Sequence, residues 1–406
     1  MNTLTKSITT VMLSIPFLTT CGVMYKGDTK KLSSVLSLPT IFKPHQPTKS
    51  KNIIKPDIVS QVGETEIKAD KITNENHSQA AAVGSILISS ARQNCGLGAV
   101  TVDAELTKIA TQHAQYMQYI FANVTPIAFN AHDEHEIAAI KQWTGQNNPY
   151  FSGVTLADRL ANAQYSNQFY GAVENISHTV LFNSIGKVAS PDYVAQTLVK
   201  SLLSAPYHLR SLMLPTLSHN GSSAMAYTPH GKVADKSKGY IFVNVSSPTY
   251  STHHNTAQGI FTYPCDNIIG THTALYDESP NPVARTKRDL KAAPIGQPIY
   301  INMPSAQHII VRNIRLYDIQ HTAKVKVELL DYRNDPHKGT DHELKENEAF
   351  ILPITDNHKS CEVGARKGLN CGLYGHSEYK VSFTVLVDGK KLEKKQFTFK
   401  TGNVNY

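Results

Sequence analysis

Two histidines and one glutamate stand out in the sequence because their side chains could meet and do chemistry. His132 follows a long amphipathic segment, Glu174 begins the run Glu-Asn-Ile, and His208 ends the run Ala-Pro-Tyr-His. Two imidazoles and a carboxylate can hold Zn²⁺ and leave a coordination position for water. The same groups could transfer protons, with Glu174 as the base, or form a buried polar network that only stabilises the fold.

The first half of the chain carries clear helix signals. Ser78 predicts the cap of a helix over residues 79–93, and Asp103 begins a second helix whose apolar positions recur at helical spacing. His113 lies on that apolar face. A core histidine with one satisfied ring nitrogen is a better interpretation of this residue than a ligand.

A sharper helix start lies next to the candidate residues. Ser190 followed by Pro191 predicts a helix, and Pro206 should interrupt this helix just before His208. Helices followed by antiparallel strands are typical of a layered α+β fold. The apolar period changes to two from about residue 220, which predicts strands at Ser222–Thr228, Tyr240–Ser246 and Ile260–Tyr263.

The first 21 residues have the pattern of an export signal. Lys6 precedes an apolar run that is too short to cross a membrane, and the run ends at Cys21. Its Leu-x-x-Cys ending resembles the box of bacterial lipoproteins, so Cys21 is the expected lipidation site. An ordinary signal peptide with a chance cysteine is the alternative. Residues 22–77 are rich in Lys, Ser, Thr and Pro, which predicts a flexible linker.

Length and charge narrow the classes of protein. The chain has 406 residues, with 40 Lys plus Arg against 32 Asp plus Glu and a net charge of +8. This length allows two or three domains, and the mild basic charge favours anionic surfaces such as membranes or cell-wall polymers. A nucleic acid partner is not indicated, because no basic–aromatic motif accompanies the charge.

The last third of the chain is predicted to be all β. Six apolar or alternating runs, the last two joined by Asp388-Gly389, indicate an immunoglobulin-like sandwich over residues 296–406. Residues 266–295 are rich in Pro, Asp and Lys, and they predict a linker between this sandwich and the preceding domain.

The cysteines add a constraint on compartment. With Cys21 set aside, four cysteines remain, and an even number in an exported chain suggests two disulfides. Cys361 and Cys371 are close in sequence and would staple one loop.

The segment from about residue 80 to 246 resembles the CAP superfamily, also called SCP-like. This superfamily comprises cysteine-rich secretory proteins, antigen 5 and plant pathogenesis-related proteins. The bacterial members are the more similar ones. The matching pieces occur in the family's order: Asn94-Cys95-Gly96-Leu97, Ala110-x-x-His113-Ala114-x-x-Met117, His132, the helix start near Arg159, Glu174-Asn175-Ile176, Ala205-Pro206-Tyr207-His208 with Arg210, and Pro215.

The resemblance implies an α-β-α sandwich over residues 78–265, with a central antiparallel sheet and a cleft. In many members two histidines and two acidic residues line that cleft. His132, Glu174 and His208 match three of these positions. The second acidic position has no counterpart, since Lys200, Ser201 and Ser204 stand where it would fall. A Cys95–Cys265 disulfide would tie the first helix to the far end of this domain.

Three functions remain open at this stage. The first is an exported, membrane-anchored lipoprotein of the cell envelope, periplasmic or surface exposed. It would bind an apolar ligand, an envelope component or a protein partner through the cleft. The alternative is a metal-dependent hydrolase acting on peptide or cell-wall substrates, with Zn²⁺ held by His132, Glu174 and His208. The third is a polar network with neither role. Without a Gly-x-Ser-x-Gly motif or an unpaired cysteine nucleophile, no residue is assigned as catalytic.

Overall fold

The computed structural model describes residues 74–124, 129–182, 189–232, 237–253, 257–362 and 366–405. The expected export signal, its lipidation site Cys21 and nearly all of the expected linker over residues 22–77 lie outside these residues. Among the described residues, no helix is both long and apolar enough to span a bilayer.

The described helices of the first half belong to an N-terminal unit, defined here as residues 74–253. The side chains of Asp103 and Ser190 each accept a hydrogen bond from a first-turn N–H, as their positions predict. Pro206 starts a new helix rather than bending the previous one. The α-helices are α1 (Asn74–Asn94), α2 (Ala104–Asn123), α3 (Leu156–Asn162), α4 (Pro191–Leu203), α5 (Pro206–Leu212) and α6 (Tyr250–His253), with 3-10 turns at Ala138–Trp143, Gly145–Asn147 and Gln168–Tyr170.

A four-stranded sheet forms the middle layer of this unit. Its strands are β1 (Thr101–Val102), β2 (Val173–Phe182), β3 (His219–Tyr227) and β4 (Ser237–Ser247), in the order β1-β3-β4-β2. Strands β2, β3 and β4 are antiparallel, and β1 is parallel to β3. Leu106 and Met117 of α2 pack with Val243 on one face, while α1, α4 and α5 pack with Phe242 on the other. The unit is therefore an α-β-α sandwich, as the resemblance implies.

The C-terminal unit, residues 257–405, is built mainly from β-strands, with a short 3-10 turn at Ala284–Thr286. Its strands are β5 (Phe261–Tyr263), β6 (Ile268–Thr271), β7 (Ala274–Leu275), β8 (Ile295–Gly296), β9 (Ile299–Asn302), β10 (Ile309–Asp318), β11 (Ala323–Asp331), β12 (Glu348–Ile354), β13 (Glu378–Val387) and β14 (Lys391–Thr401). Eight strands follow the order β5-β9-β12-β11-β10-β13-β14-β6, and β7 pairs with β8.

This eight-stranded sheet folds into two layers. Strands β10 and β11 pair only near their connecting turn, at Leu316–Asp318 against Ala323–Val325. Ile299 and Ile351 from one side of this corner share a core with Val381 and Phe397 from the other. Facing sheets with a common apolar core are the arrangement of a β-sandwich, which agrees with the expected architecture.

The expected linker over residues 266–295 differs from the structure. Strand β6 pairs in parallel with β14, and residues of this segment such as Leu275 and Leu290 are buried. Strand β5, expected within the domain of residues 78–265, pairs with β9 of the C-terminal unit instead. Because the strands of this segment are two to four residues long, they are too short to show alternation. The Pro, Asp and Lys residues of the turns therefore led to the prediction of a linker.

Two disulfides join the expected cysteines. Cys95–Cys265 connects the end of α1 to the start of the C-terminal unit, with a Cα–Cα distance of 5.4 Å, and Cys361–Cys371 closes a loop at 5.1 Å. An apolar core also spans both units, since it includes both Leu209 of α5 and Phe350 of β12. The two units thus form one packed body.

Candidate functional site

Glu174 is the most highly connected residue of the predicted cluster. It lies at the start of the edge strand β2, and its side chain is 3% exposed. Arg159 donates from Nη2 to both carboxylate oxygens, at 2.8 and 2.9 Å. His132 Nδ1 lies 3.0 Å from Glu174 Oε2, and His113 Nε2 lies 3.8 Å from the same oxygen. One carboxylate therefore faces three cationic or titratable groups.

Arg159 is positioned by a short but well-capped helix. Thr155 and Asp158 form a reciprocal capping box at the start of α3, which fixes the first turn that carries Arg159. The guanidinium is 1% exposed, and its Nη1 donates to the carbonyl oxygen of His132 at 3.2 Å. Arg159 thereby ties the loop of His132 to strand β2.

His113 is a core residue, as its apolar helix face predicts. Its side chain is fully buried, its Nδ1 lies 2.8 Å from Glu134 Oε1, and its Nε2 lies 2.8 Å from the carbonyl oxygen of Ala131. Both ring nitrogens face acceptors, whereas the sequence predicted one satisfied nitrogen. Glu134 also accepts hydrogen bonds from the N–H and hydroxyl of Ser152.

The electrostatics of Glu174 follow from these neighbours. Burial alone would raise the pKa of its carboxyl group, because a charged form is poorly solvated there. The nearby His113, Arg159 and His132 outweigh that effect and lower the pKa to about 2. Glu174 is therefore a fixed negative charge, compensated within the N-terminal unit, rather than a base waiting for a proton.

His208 is held by a second carboxylate, which the sequence did not reveal. Glu278, from the C-terminal unit, places Oε1 3.1 Å from His208 Nδ1. The same oxygen accepts the backbone N–H groups of Tyr207 at 2.8 Å and His208 at 3.2 Å. Since the N-cap residue Ala205 supplies no side-chain acceptor, Glu278 caps helix α5 from a remote segment.

Glu278 differs electrostatically from Glu174. It is fully buried, its Oε2 has no hydrogen-bond partner among the described residues, and no arginine pairs with it there. Burial raises the pKa of its carboxyl group, and the contacts with His208 and the α5 backbone offset this only in part. The carboxylate is held chiefly by neutral N–H groups and one imidazole.

The two predicted histidines lie side by side where the family resemblance places a cleft, and this place, defined by His132, Glu174 and His208, is called the cleft below. Their ring centroids are 6.1 Å apart. The imidazole of His132 is 35% exposed and that of His208 is 7% exposed. In the described part of the chain neither Nε2 atom has a protein hydrogen-bond partner, so both are available to a ligand.

A loop of the C-terminal unit, residues 335–344, borders the cleft beside α5. The Tyr207 hydroxyl donates to Asp335 Oδ1 at 2.8 Å, and the Tyr207 ring lies 5.4 and 5.9 Å from the rings of His337 and His342. Burial lowers the pKa of the His342 imidazole, and the neighbouring histidines His132, His337 and His208 add to that effect. The cleft is thus built from both units.

The geometry gives no support to the expected zinc set of His132, Glu174 and His208. These residues meet, but Glu174 already accepts two hydrogen bonds from Arg159. Across all residues with described positions, no three His, Cys, Asp or Glu side chains form a group that could hold a metal ion.

The N-terminal unit matches a known protein family. The family described as the Cysteine-rich secretory protein family (CAP) matches residues 86–245. This range includes His113, His132, Glu174 and His208, whereas Glu278 lies outside it. No curated protein matches the chain.

Two solved structures are similar to parts of the chain. One is an extracellular protein containing an SCP domain from Bacillus anthracis strain Ames, at 18% identity and a TM-score of 0.22, covering 48% of this chain and 45% of that chain. The other is PcoC, a copper resistance protein from Escherichia coli, at 10% identity and a TM-score of 0.18, covering 36% of this chain and 98% of that chain.

Proposed function

Residues 86–245 form a domain of the CAP family, and from this premise we propose that the protein is an exported binding module. In this proposal a lipid at Cys21 anchors it to a membrane of the cell envelope. The cleft between His132 and His208 recognises a polar envelope component, one that presents hydroxyl, amine or amide groups.

The tautomers of the two histidines carry this proposal. His132 Nδ1 faces Glu174, and His208 Nδ1 faces a Glu278 oxygen that already accepts two backbone N–H groups. Each Nδ1 therefore carries the proton shared with its carboxylate, and in the neutral form of the ring each Nε2 is an acceptor. Two acceptors on rings whose centroids lie 6.1 Å apart fit a ligand that offers two hydrogen-bond donors.

The walls of the cleft favour a polar ligand over an apolar one. The groups near the two imidazoles include the fixed carboxylate of Glu174, Tyr207 and the exposed His342. An apolar ligand would remove water from these polar groups and offer no hydrogen bonds in place of those with water, which costs free energy. The hydrolase alternative has no specific observation in its favour, because no three His, Cys, Asp or Glu side chains in the described residues form a group that could hold a metal ion.

Export is supported by the cysteines. Two disulfides persist in oxidising compartments and are rare in the cytosol. Lipid attachment at Cys21 would keep the binding unit at the membrane, since two or three acyl chains hold a protein stably where one does not.

The proposal is tested with full-length parent, a Cys21→Ser variant, and Cys21→Ser carrying His132→Ala, His208→Ala or both. The parent should partition with membranes and Cys21→Ser should not. Cys21→Ser should co-sediment with isolated cell-wall fragments, and the double histidine variant should bind at least about tenfold more weakly, which corresponds to about 1.4 kcal/mol. His135→Ala is the matched control, since this neighbouring side chain is 64% exposed and its ring contacts Asp133 rather than the cleft.

The single His132→Ala variant is expected to fold even if the double variant does not, because the His132 side chain is partly exposed to solvent. Equal sedimentation of the parent and of folded His132→Ala would refute cleft recognition. Membrane partition unchanged by Cys21→Ser would refute the anchor.

A further inference from the structure

An exposed aromatic surface lies at the end of the first sheet where β2 begins and β4 ends. We define this aromatic patch by Phe169, Tyr170 and Tyr250. Phe169 is 87% exposed and Tyr250 is 66% exposed. The rings of Tyr170 and Tyr250 meet edge to face with centroids 5.9 Å apart.

The patch is held in shape by the chain beneath it. Tyr165, under the loop, is fully buried, and Gln168 N–H donates to its carbonyl oxygen at 3.2 Å. The hydroxyl of Ser247, at the end of β4, donates to the carbonyl oxygen of Gly171 at 3.1 Å. These bonds join the two loops that present the aromatic rings, so the rings need little ordering before they bind.

Charged side chains are missing from the segments that build this end of the sheet. No Asp, Glu, Lys or Arg occurs within residues 160–173, 211–231 or 239–265. Asp103 and Glu105 act electrostatically on Tyr165 beneath the loop, and both are acidic. A cationic anchor for an anionic ligand is therefore absent from these segments.

The polar groups that flank the rings are amides and hydroxyls. Exposed Asn162, Gln164 and Ser166 precede Phe169 in the chain, and Ser251 follows Tyr250. Amides offer both donors and acceptors, and hydroxyls do the same. Rigid aromatic faces among small uncharged polar groups form an adaptable surface for a ligand that has both apolar faces and hydroxyl groups.

We propose that the aromatic patch binds a neutral polysaccharide chain. Sugar rings have flat faces of C–H bonds that stack on Tyr and Phe, and their hydroxyls pair with amide and hydroxyl side chains. The lack of Lys and Arg in these segments, together with the acidic Asp103 and Glu105 that act on Tyr165, selects neutral sugars over acidic ones. An exposed aromatic surface of this kind is costly to leave uncovered in water, which is why such patches commonly mark binding sites.

A lipid surface is the competing occupant, and the observations favour it less. Membrane-binding aromatics are usually accompanied by Lys or Arg that attract anionic headgroups. Here the neighbouring segments have none, and the two charges that act on Tyr165 beneath the loop, those of Asp103 and Glu105, are acidic.

The test uses full-length Cys21→Ser protein, with and without Phe169→Ala plus Tyr250→Ala. The probes are insoluble chitin and cellulose, and vesicles of phosphatidylcholine with or without phosphatidylglycerol. We expect co-sedimentation with at least one polysaccharide, little dependence on salt between 20 and 500 mM as a chosen range, and a loss of about tenfold or more in the double variant. Phe169→Trp plus Tyr250→Trp should retain binding because the stacking faces remain.

Leu392→Ala, at a position 57% exposed in the C-terminal unit, is the control for non-specific loss of apolar surface. Retention on vesicles but on neither polysaccharide would overturn the proposal in favour of a lipid surface. Retention on no probe would also overturn it, and so would an equal loss in Leu392→Ala. Because the patch variants leave His132 and His208 intact, the result is independent of the cleft proposal.

Discussion

Two buried glutamates each contact the Nδ1 atom of one cleft histidine, Glu174 that of His132 and Glu278 that of His208. The charges around the two carboxylates differ. Glu174 lies against Arg159 and within 3.8 Å of His113, and the pKa of its carboxyl group is lowered to about 2. Glu278 contacts backbone N–H groups and His208, and burial raises the pKa of its carboxyl group. A buried carboxylate needs a partner of opposite charge to stay ionised at low cost.

The difference reflects where each carboxylate comes from. Glu174, Arg159, His113 and Glu134 all belong to the N-terminal unit, so this half of the cleft is complete within one fold. Glu278 reaches α5 from the C-terminal unit and replaces the cap that Ala205 lacks. One half of the cleft is therefore intrinsic to its domain, and the other half depends on the contact between units.

The largest expected effect separates the two glutamates by stability. Glu174→Gln removes the partner of a buried arginine, so we expect the free energy of unfolding to fall by about 3–5 kcal/mol at neutral pH. Urea denaturation followed by circular dichroism measures this change. Glu136→Gln is the control, because Glu136 forms a surface pair with Lys141 and should shift stability by less than about 1 kcal/mol. Similar losses in both variants would mean that Arg159 does not depend on Glu174.

A smaller effect is expected at Glu278, and it depends on the substitution. Glu278→Ala leaves two buried N–H groups of α5 and His208 Nδ1 without their acceptor, which should cost about 1–3 kcal/mol. Glu278→Gln keeps an amide oxygen for those donors and removes a poorly solvated charge. This variant should therefore be at least as stable as the parent at pH 7. If Glu278→Gln were the more damaging change, charge rather than capping would be its role.

The pH dependence of the stability should have opposite signs at the two sites. Glu174 has a lowered pKa, so its ionised form stabilises the fold above about pH 4.5, and this is lost as the pH falls toward 2. The deficit of Glu174→Gln relative to the parent should shrink over that range, by about 3 kcal/mol in total. Glu278 has a raised pKa, so its ionisation costs stability as the pH rises through that value.

Any advantage of Glu278→Gln over the parent should accordingly fade as the solution is acidified. Thermal melts of the parent and both variants at several pH values compare these differences while cancelling the other titrating groups. If the stability differences of both variants changed with pH in the same direction, the two glutamates would not differ in the sign of their pKa shifts.

The sequence was informative where the chemistry is local or the pattern is long. His132, Glu174 and His208 were predicted to meet, and the structure brings them together. Helices α2 and α4 were predicted from caps and apolar periodicity, and the disulfide pairs agree with those expected. These features depend on residues whose spacing or residue type is itself the signal.

The sequence was less informative where distant segments meet. An uncapped α5 could be inferred from Ala205 before Pro206, since a helix start needs an acceptor, but nothing in the pattern indicates that Glu278 supplies it. Arg159 was noted only as part of a helix start, although its charge explains why Glu174 can be buried. Strands β6 to β8 were assigned to a linker because each has only two to four residues, which is too few for an alternating pattern to be visible.

The parallel pairing of β6 with β14 affects the order in which the protein can mature. Residues 268–271 are made early in the C-terminal unit, but their partner strand, residues 391–401, is made last. Closing so long a loop is slow and comes late, because its entropic cost precedes any contact that rewards it. Until then β13 and β6 present open edges that could pair with another chain. A nascent or clipped chain that lacks β14 is therefore expected to aggregate more readily than the finished protein.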